Sequence, residues 1–321
     1  MLKPNRKDSE NSDAAKKLNS KTFSINITNV CNLSCGGCNQ LCGLYPKEKN
    51  WFITIEQLVQ SISALRSYAT ENWSNENYPD QNKFCTLYGG EPTLHPEFGK
   101  ILDVLYSNED LPFCIYTNGR TFKDKMASLD MTINTGKELS QKTMEIEMVR
   151  TSTFDVLRQF HAHEKNVAYR IDFKTKDSAR PFIPCLCSPC DLQDEDMTKM
   201  DYVKQAKKVC YQWNNCENSV YNGKAYACHL AASMDHMFYE GKNGWALEAG
   251  KNPFSKTQEE IDKQLCNFCY RCGYNLKTGM KGFENKTGLN QYAHEKTLVT
   301  ETNDSTMLQQ KNTRRIPPTE K

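Results

Sequence analysis

The sequence predicts an α/β chain of parallel strands and crossover helices, followed by a smaller cysteine-rich region. Three observations predict it. β-like runs alternate with amphipathic helical stretches from residue 21 to about 175. A loop with the spacing Cys31-x3-Cys35-x2-Cys38 comes directly after the first run. From about 176 the alternation stops and cysteine-rich segments replace it. Repeated β–α units imply parallel strands with right-handed crossovers.

Residues 23–30 form the first expected strand, because Phe23, Ile25 and Ile27 alternate with polar residues. A helix follows over 54–68. Thr54 and Gln57 have the spacing of a capping box, and Ile55, Leu58, Val59, Ile62 and Leu65 make one stripe. Residues 84–88 read as a second strand. Pro96 stands where a helix can start, with Phe98, Ile101, Leu102 and Leu105 as its apolar face. Residues 113–116, 131–134 and 167–173 are further expected strands, with a helix near 153–163 and a sixth strand between 179 and 184. Residues 1–20 read as a disordered arm, 21–184 as the α/β domain, 185–275 as the cysteine-rich domain and 276–321 as a polar tail.

Bulk properties narrow the function. Lys and Arg total 41 against 39 acidic residues, a net charge of +2, so no basic excess points to nucleic acid. No run approaches the roughly 20 apolar residues of a membrane helix, and residues 1–20 do not resemble a signal peptide. Fifteen cysteines without an export signal point to metal or catalysis rather than disulfides, and to a reducing cytoplasm.

Three thiols on one tight loop can bind three irons of a [4Fe–4S] cube and leave the fourth iron without a protein ligand. A structural site would close every position. Zinc is the rival reading, with Cys42 or a histidine as fourth ligand. Cys42 otherwise reads as a spare buried thiol, Cys85 and Cys114 as core residues, and His95 as a helix-start residue.

The cysteine loop resembles the signature of the radical SAM superfamily. Tyr88-Gly89-Gly90-Glu91-Pro92 is similar to that family's GGEP motif, and Tyr116-Thr117-Asn118-Gly119 to its TNG. All three fall at the C-terminal ends of expected strands, where α/β barrels place their sites. The resemblance implies a partial (β/α)6 TIM-like barrel. It implies a [4Fe–4S] cluster on Cys31, Cys35 and Cys38, and S-adenosylmethionine chelating the open iron. Gly89, Gly90, Glu91, Pro92, Thr117 and Asn118 would bind that cofactor, the glycines by letting backbone approach its methionine moiety. Thr132 and Asn134 are candidates for the ribose, and Arg170, on an expected fifth strand, for the carboxylate. The family usually has an aromatic residue before the third cysteine. Here it is Gly37, so adenine contact falls to Tyr45 or Phe52.

Cys210-x12-Gly223-x4-Cys228, followed by Cys266, Cys269 and Cys272, is similar to the SPASM and twitch extensions of the same superfamily. Asn222-Gly223 is also a hairpin signal in its own right. The resemblance implies a twitch-like domain with one auxiliary [4Fe–4S] cluster, held by Cys210, Cys228 and two of the last three cysteines. Cys216 is a possible substitute. Cys185, Cys187 and Cys190 form a third group, read as ligands, a metal knuckle or free thiols. All-thiolate zinc is the rival for this field. The expectation is a radical SAM oxidoreductase acting on a small molecule, with a flavodoxin- or ferredoxin-type electron donor. A peptide maturase and a non-catalytic zinc-stabilised binding module are the alternatives.

Overall fold

A computed structural model of the chain describes residues 22–35, 38–73, 84–129, 159–164, 166–172, 197–210, 213 and 218–273. The expected strands at 131–134 and 179–184, the arm 1–20, the tail 276–321 and Cys185, Cys187, Cys190 and Cys216 lie outside these residues.

Eight strands form one sheet: β1 (Phe23–Thr28), β2 (Cys85–Gly89), β3 (Phe113–Thr117), β4 (Gln159–Glu164), β5 (Val167–Asp172), β6 (Asn218–Tyr221), β7 (Lys224–Tyr226) and β8 (Trp245–Ala246). Their order is β4-β5-β3-β2-β1-β6-β7-β8. The five central strands run parallel, so their C-terminal ends share one edge. The cysteine loop, Gly89-Gly90-Glu91 and Thr117-Asn118 all leave the sheet there. β4, β7 and β8 pair antiparallel at the two flanks.

Strand β1 is the centre of the molecule, and all six of its residues are buried. Successive side chains point to opposite faces. Phe23, Ile25 and Ile27 therefore line one face, where they pack with helix α1 (Ile55–Asn72) and helix α2 (Phe98–Tyr106) in the main core. Ser24, Asn26 and Thr28 line the other. There Asn26 Nδ2 donates to Ser219 Oγ at 2.6 Å, and Ser24 Oγ to Tyr88 Oη at 3.2 Å. A fully buried polar face needs such partners.

Helix α1 starts at the expected capping box: Gln57 N donates to Thr54 Oγ1, and Thr54 N to Gln57 Oε1. It runs to Asn72, one turn beyond expectation. Leu58, Ile62, Leu65 and Tyr68 are buried, but Val59 is 51% exposed and leaves the stripe. Asn222 and Gly223 both take positive φ, 46° and 74°, as a two-residue hairpin turn requires.

One expectation needs correction. Residues 159–163 are not helical; Gln159–Glu164 is β4, which pairs along β5 and covers its outer edge. The strand beside β3 is β5, in register from Phe113↔Val167 to Thr117↔Ile171. β2 holds the other side of β3. Arg170 lies on β5, the fifth strand in chain order, aligned with Tyr116.

Residues of the cysteine-rich stretch join this sheet directly, because β6 pairs with β1. Short helix α3 (Phe122–Ala127) and helices α4 (Lys199–Val209), α5 (His229–Tyr239) and α6 (Gln258–Leu265) complete the α-helices among the described residues. Phe254 sits 5.5 Å from Phe23 and 5.8 Å from Tyr68, centroid to centroid, so β1, α1 and the 252–254 turn share one aromatic cluster. Asn252 ties the same turn to Glu71 at 2.6 Å. No helix among the described residues is long and apolar enough to cross a membrane.

Phe254→Ala should cost about 3–5 kcal/mol, as for other buried aromatics. Anaerobic denaturant titration should show one cooperative transition shifted to lower denaturant. A transition in which residues 218–273 melt alone would contradict this shared core.

Candidate functional site

The three motifs are locked together by backbone and side-chain hydrogen bonds. Beyond the ladder, Gly90 N donates to Thr28 O at 2.7 Å and Glu91 N to Val30 O at 2.8 Å. This seats the turn after β2 on the backbone immediately before Cys31. The contact is too close for any side chain: a Cβ on Gly89 would lie 2.1 Å from Thr28 O, and one on Gly90 2.0 Å from Val30 O. The glycines thus serve an approach between two strand ends. The sequence had suggested an approach to a cofactor.

Glu91 has no exposed surface. Its Oε1 accepts from Thr93 Oγ1 and Thr117 Oγ1, both at 2.6 Å, and from Thr93 N at 3.2 Å. Its Oε2 accepts from Asn118 N at 2.7 Å. The carboxylate therefore braces the Gly-Gly-Glu-Pro turn to the Thr-Asn-Gly turn. Asn118 carries the brace onward, since its Nδ2 donates to Asn32 Oδ1 at 2.8 Å and reaches Cys31 Sγ at 3.9 Å. Pro92 is buried at the start of a 3-10 turn. Thr117 and Glu91 are spent on internal bonds, whereas Asn118 contacts the cysteine loop itself.

The thiols of that loop stand close to one another. Burial pushes the Cys31 thiol up to about 12, opposed by a Leu33 backbone hydrogen bond and reinforced by Cys38, Glu91 and Cys35. Cys42 belongs to the same set: a hydrogen bond with Cys38, then burial, holds its thiol well above the ordinary range. Leu41, left-handed at φ 55°, turns the chain so that this fourth thiol faces back. Among the candidates for adenine, Tyr45 is buried, with its hydroxyl donating to Ser233 O at 2.6 Å. Phe52 is 38% exposed beside the end of β1 and packs edge-on against His95. His95 is a structural histidine: Nε2 meets Ile53 O, and Nδ1 accepts from Glu97 N. Thr132 and Asn134 lie outside the described residues.

The second thiol set gathers where three helices end or begin. Cys210 closes α4, Cys228 precedes the first turn of α5, and Cys266 closes α6 ahead of Cys269 and Cys272. Lys207 and Asp262 pair across α4 and α6. Gln264 of α6 clamps the hairpin, accepting from Ala227 N and donating to Ala225 O. An apolar cavity between these elements is lined by Cys210, Cys228, Cys269 and Cys272, with Trp213, Met234 and Phe268 among its walls. Burial, then the neighbouring Cys210, Cys228 and Cys266, push the Cys269 thiol well above its ordinary range. Cys266 does not line the cavity. The N-terminus of α5 directs its positive end toward Cys228, which favours an anionic group there. Among the described residues, no three of His, Cys, Asp and Glu are set to hold one metal ion.

The donor sets fit iron–sulfur groups in chemical type: clustered thiols, desolvated walls and amide or backbone donors near sulfur. Sequence reasoning missed Asn32, Thr93 and the bracing role of Glu91. Adjacency to Cys31 was the available signal for Asn32, and adjacency to the Glu-Pro pair for Thr93.

Gly90→Ala should push Val30 and the cysteine loop away, lowering stability by about 1–3 kcal/mol. Anaerobic reconstitution should then retain less iron than the wild type. The raised Cys31 thiol also fixes a pH dependence. Ligands bind as thiolates, so the proton competes with metal at neutrality, and iron uptake by metal-free protein should rise from about pH 7 to about pH 9. Uptake that falls over that range would contradict it.

No curated protein matches the chain. Residues 25–147 match the family model described as Radical SAM superfamily, and this span holds the cysteine loop, the Gly-Gly-Glu-Pro turn and the Thr-Asn-Gly turn. The match supports an enzyme that uses a [4Fe–4S] cluster and S-adenosylmethionine for radical chemistry.

Proposed function

We propose that the chain is a radical SAM oxidoreductase acting on a small molecule, with an auxiliary [4Fe–4S] cluster that takes up an electron. The observation that carries this reading is the brace from Glu91 through Thr117 and Asn118 to Cys31, because it ties all three motifs into one preorganised site. The parallel strands would curve as a partial barrel, with the cysteine-rich stretch as a twitch-like extension beginning near residue 185.

Cys31, Cys35 and Cys38 would hold the first cluster. When bound, it would supply the electron for reductive C–S cleavage of S-adenosylmethionine and so the chemistry that removes hydrogen from substrate. The chain's own residues do the positioning. Asn118 and Asn32 fix the rim of the loop at Cys31. Gly90 and Glu91 fix its root on β1. Leu41, Leu44 and Tyr45 pack on α5 with Leu230 and Met234, which excludes water from the loop's far side. Phe52 is the remaining aromatic candidate for the adenine, and Arg170 for the cofactor carboxylate.

Cys210, Cys228, Cys269 and Cys272 would hold the auxiliary cluster, since these four line one cavity. Full thiolate ligation favours electron uptake over substrate binding there. Closure of the first loop by α5 supports a small substrate over a peptide. A flavodoxin- or ferredoxin-type protein would reduce the first cluster.

Anaerobic reconstitution tests this reading. Iron and sulfide should correspond to two clusters per chain, and reductant with S-adenosylmethionine should yield 5′-deoxyadenosine. Cys35→Ala should abolish that product, and Cys228→Ala should keep roughly half the iron. A colourless, zinc-loaded protein would overturn the proposal.

A further inference from the structure

We infer that Asn39 and His229 form a built bridge between the two thiol sets and carry the electron exchanged between them. The inference rests on the two-cluster reading above. Asn39 follows Cys38 directly in the chain, and His229 follows Cys228. Their side chains meet at 2.9 Å, Asn39 Nδ2 to His229 Nε2, across 190 residues of sequence. With Asn39 Nδ2 as the donor, His229 Nε2 is the acceptor, and the ring tautomer sets these roles. From the Cys38 sulfur to the Cys228 sulfur the path is covalent except for this one hydrogen bond.

The surroundings hold that bond in place. His229 is 4% exposed, at the first position of α5. The Tyr88 ring meets it edge-on with centroids 6.1 Å apart, and Tyr88 leads directly into Gly89. Leu41, Leu44 and Tyr45 of the first loop share an apolar cluster with Leu230, Met234 and Phe268, and Cys228 and Cys272 pack against it. The two cysteine fields are therefore joined by packing and by hydrogen bonds between the first loop and α5: Asn39 with His229, Tyr45 Oη to Ser233 O, and Ser233 Oγ to Gln40 Oε1. In the exchange, one electron leaves the reduced first cluster, which is oxidised by one. The second cluster is reduced by one, and no proton moves. His229 and Asn39 supply the through-bond path in this scheme and are themselves neither oxidised nor reduced.

Flash photoreduction of the reconstituted full chain with a deazaflavin, followed by absorbance and freeze-quench electron paramagnetic resonance, tests it. In the wild type the electron should redistribute between two distinguishable cluster signals. His229→Ala should slow that redistribution severalfold with iron content unchanged, and His229→Gln, which keeps an acceptor for Asn39, should recover much of the rate. Asn39→Leu, close in shape but without the donor, should reproduce the slowing, and serves if His229→Ala loses iron. Unchanged redistribution in the variants that keep both clusters would overturn the inference alone. A wild type with a single cluster would overturn it together with the two-cluster reading.

Discussion

The arrangement depends on a carboxylate with no exposed surface. Removing Glu91 from water is costly unless donors replace the water, and four do. Those donors come from two separate turns, Thr93 on its own and Thr117–Asn118 on the next. The requirement that they converge fixes β2 and β3 ends relative to each other. Asn118 passes that constraint to Cys31 and Asn32. The loop that presents the thiols is thus held at its root by backbone contact with Gly90 and at its rim by an amide.

Glycine at 89 and 90 follows from the same constraint. The strand ends of β1 and β2 approach until only hydrogen fits between them. A motif that reads from the sequence as room for a cofactor is, in this fold, room for the neighbouring strand. The two functions are compatible, because a site built on backbone contact needs no further ordering when a ligand arrives.

Much of the site was legible in the chain. The capping box at Thr54 and Gln57, the hairpin at Asn222-Gly223 and the alternation of Phe23, Ile25 and Ile27 are local signals with local causes, and each appears where expected. The misreadings have non-local causes. Residues 159–164 gain ladder bonds along β5, and pairing overrides a helical tendency. Val59 lies just off a buried stripe whose width depends on what packs above it. Cys42 read as a buried or spare thiol, and the thiol is buried; that left-handed Leu41 returns it to Cys38 is the non-local part.

The sequence by itself determined the thiol spacing, the order of the motifs and their positions at strand ends, since these depend on residue type and short-range periodicity. Tertiary structure alone decided which side of β1 receives β6, which thiols line one cavity, and that Asn39 meets His229. Those facts join residues as far apart as Phe23 and Asn218. Strand order and buried hydrogen bonds are chosen by the packing of the whole chain, and no short window of residues contains that information.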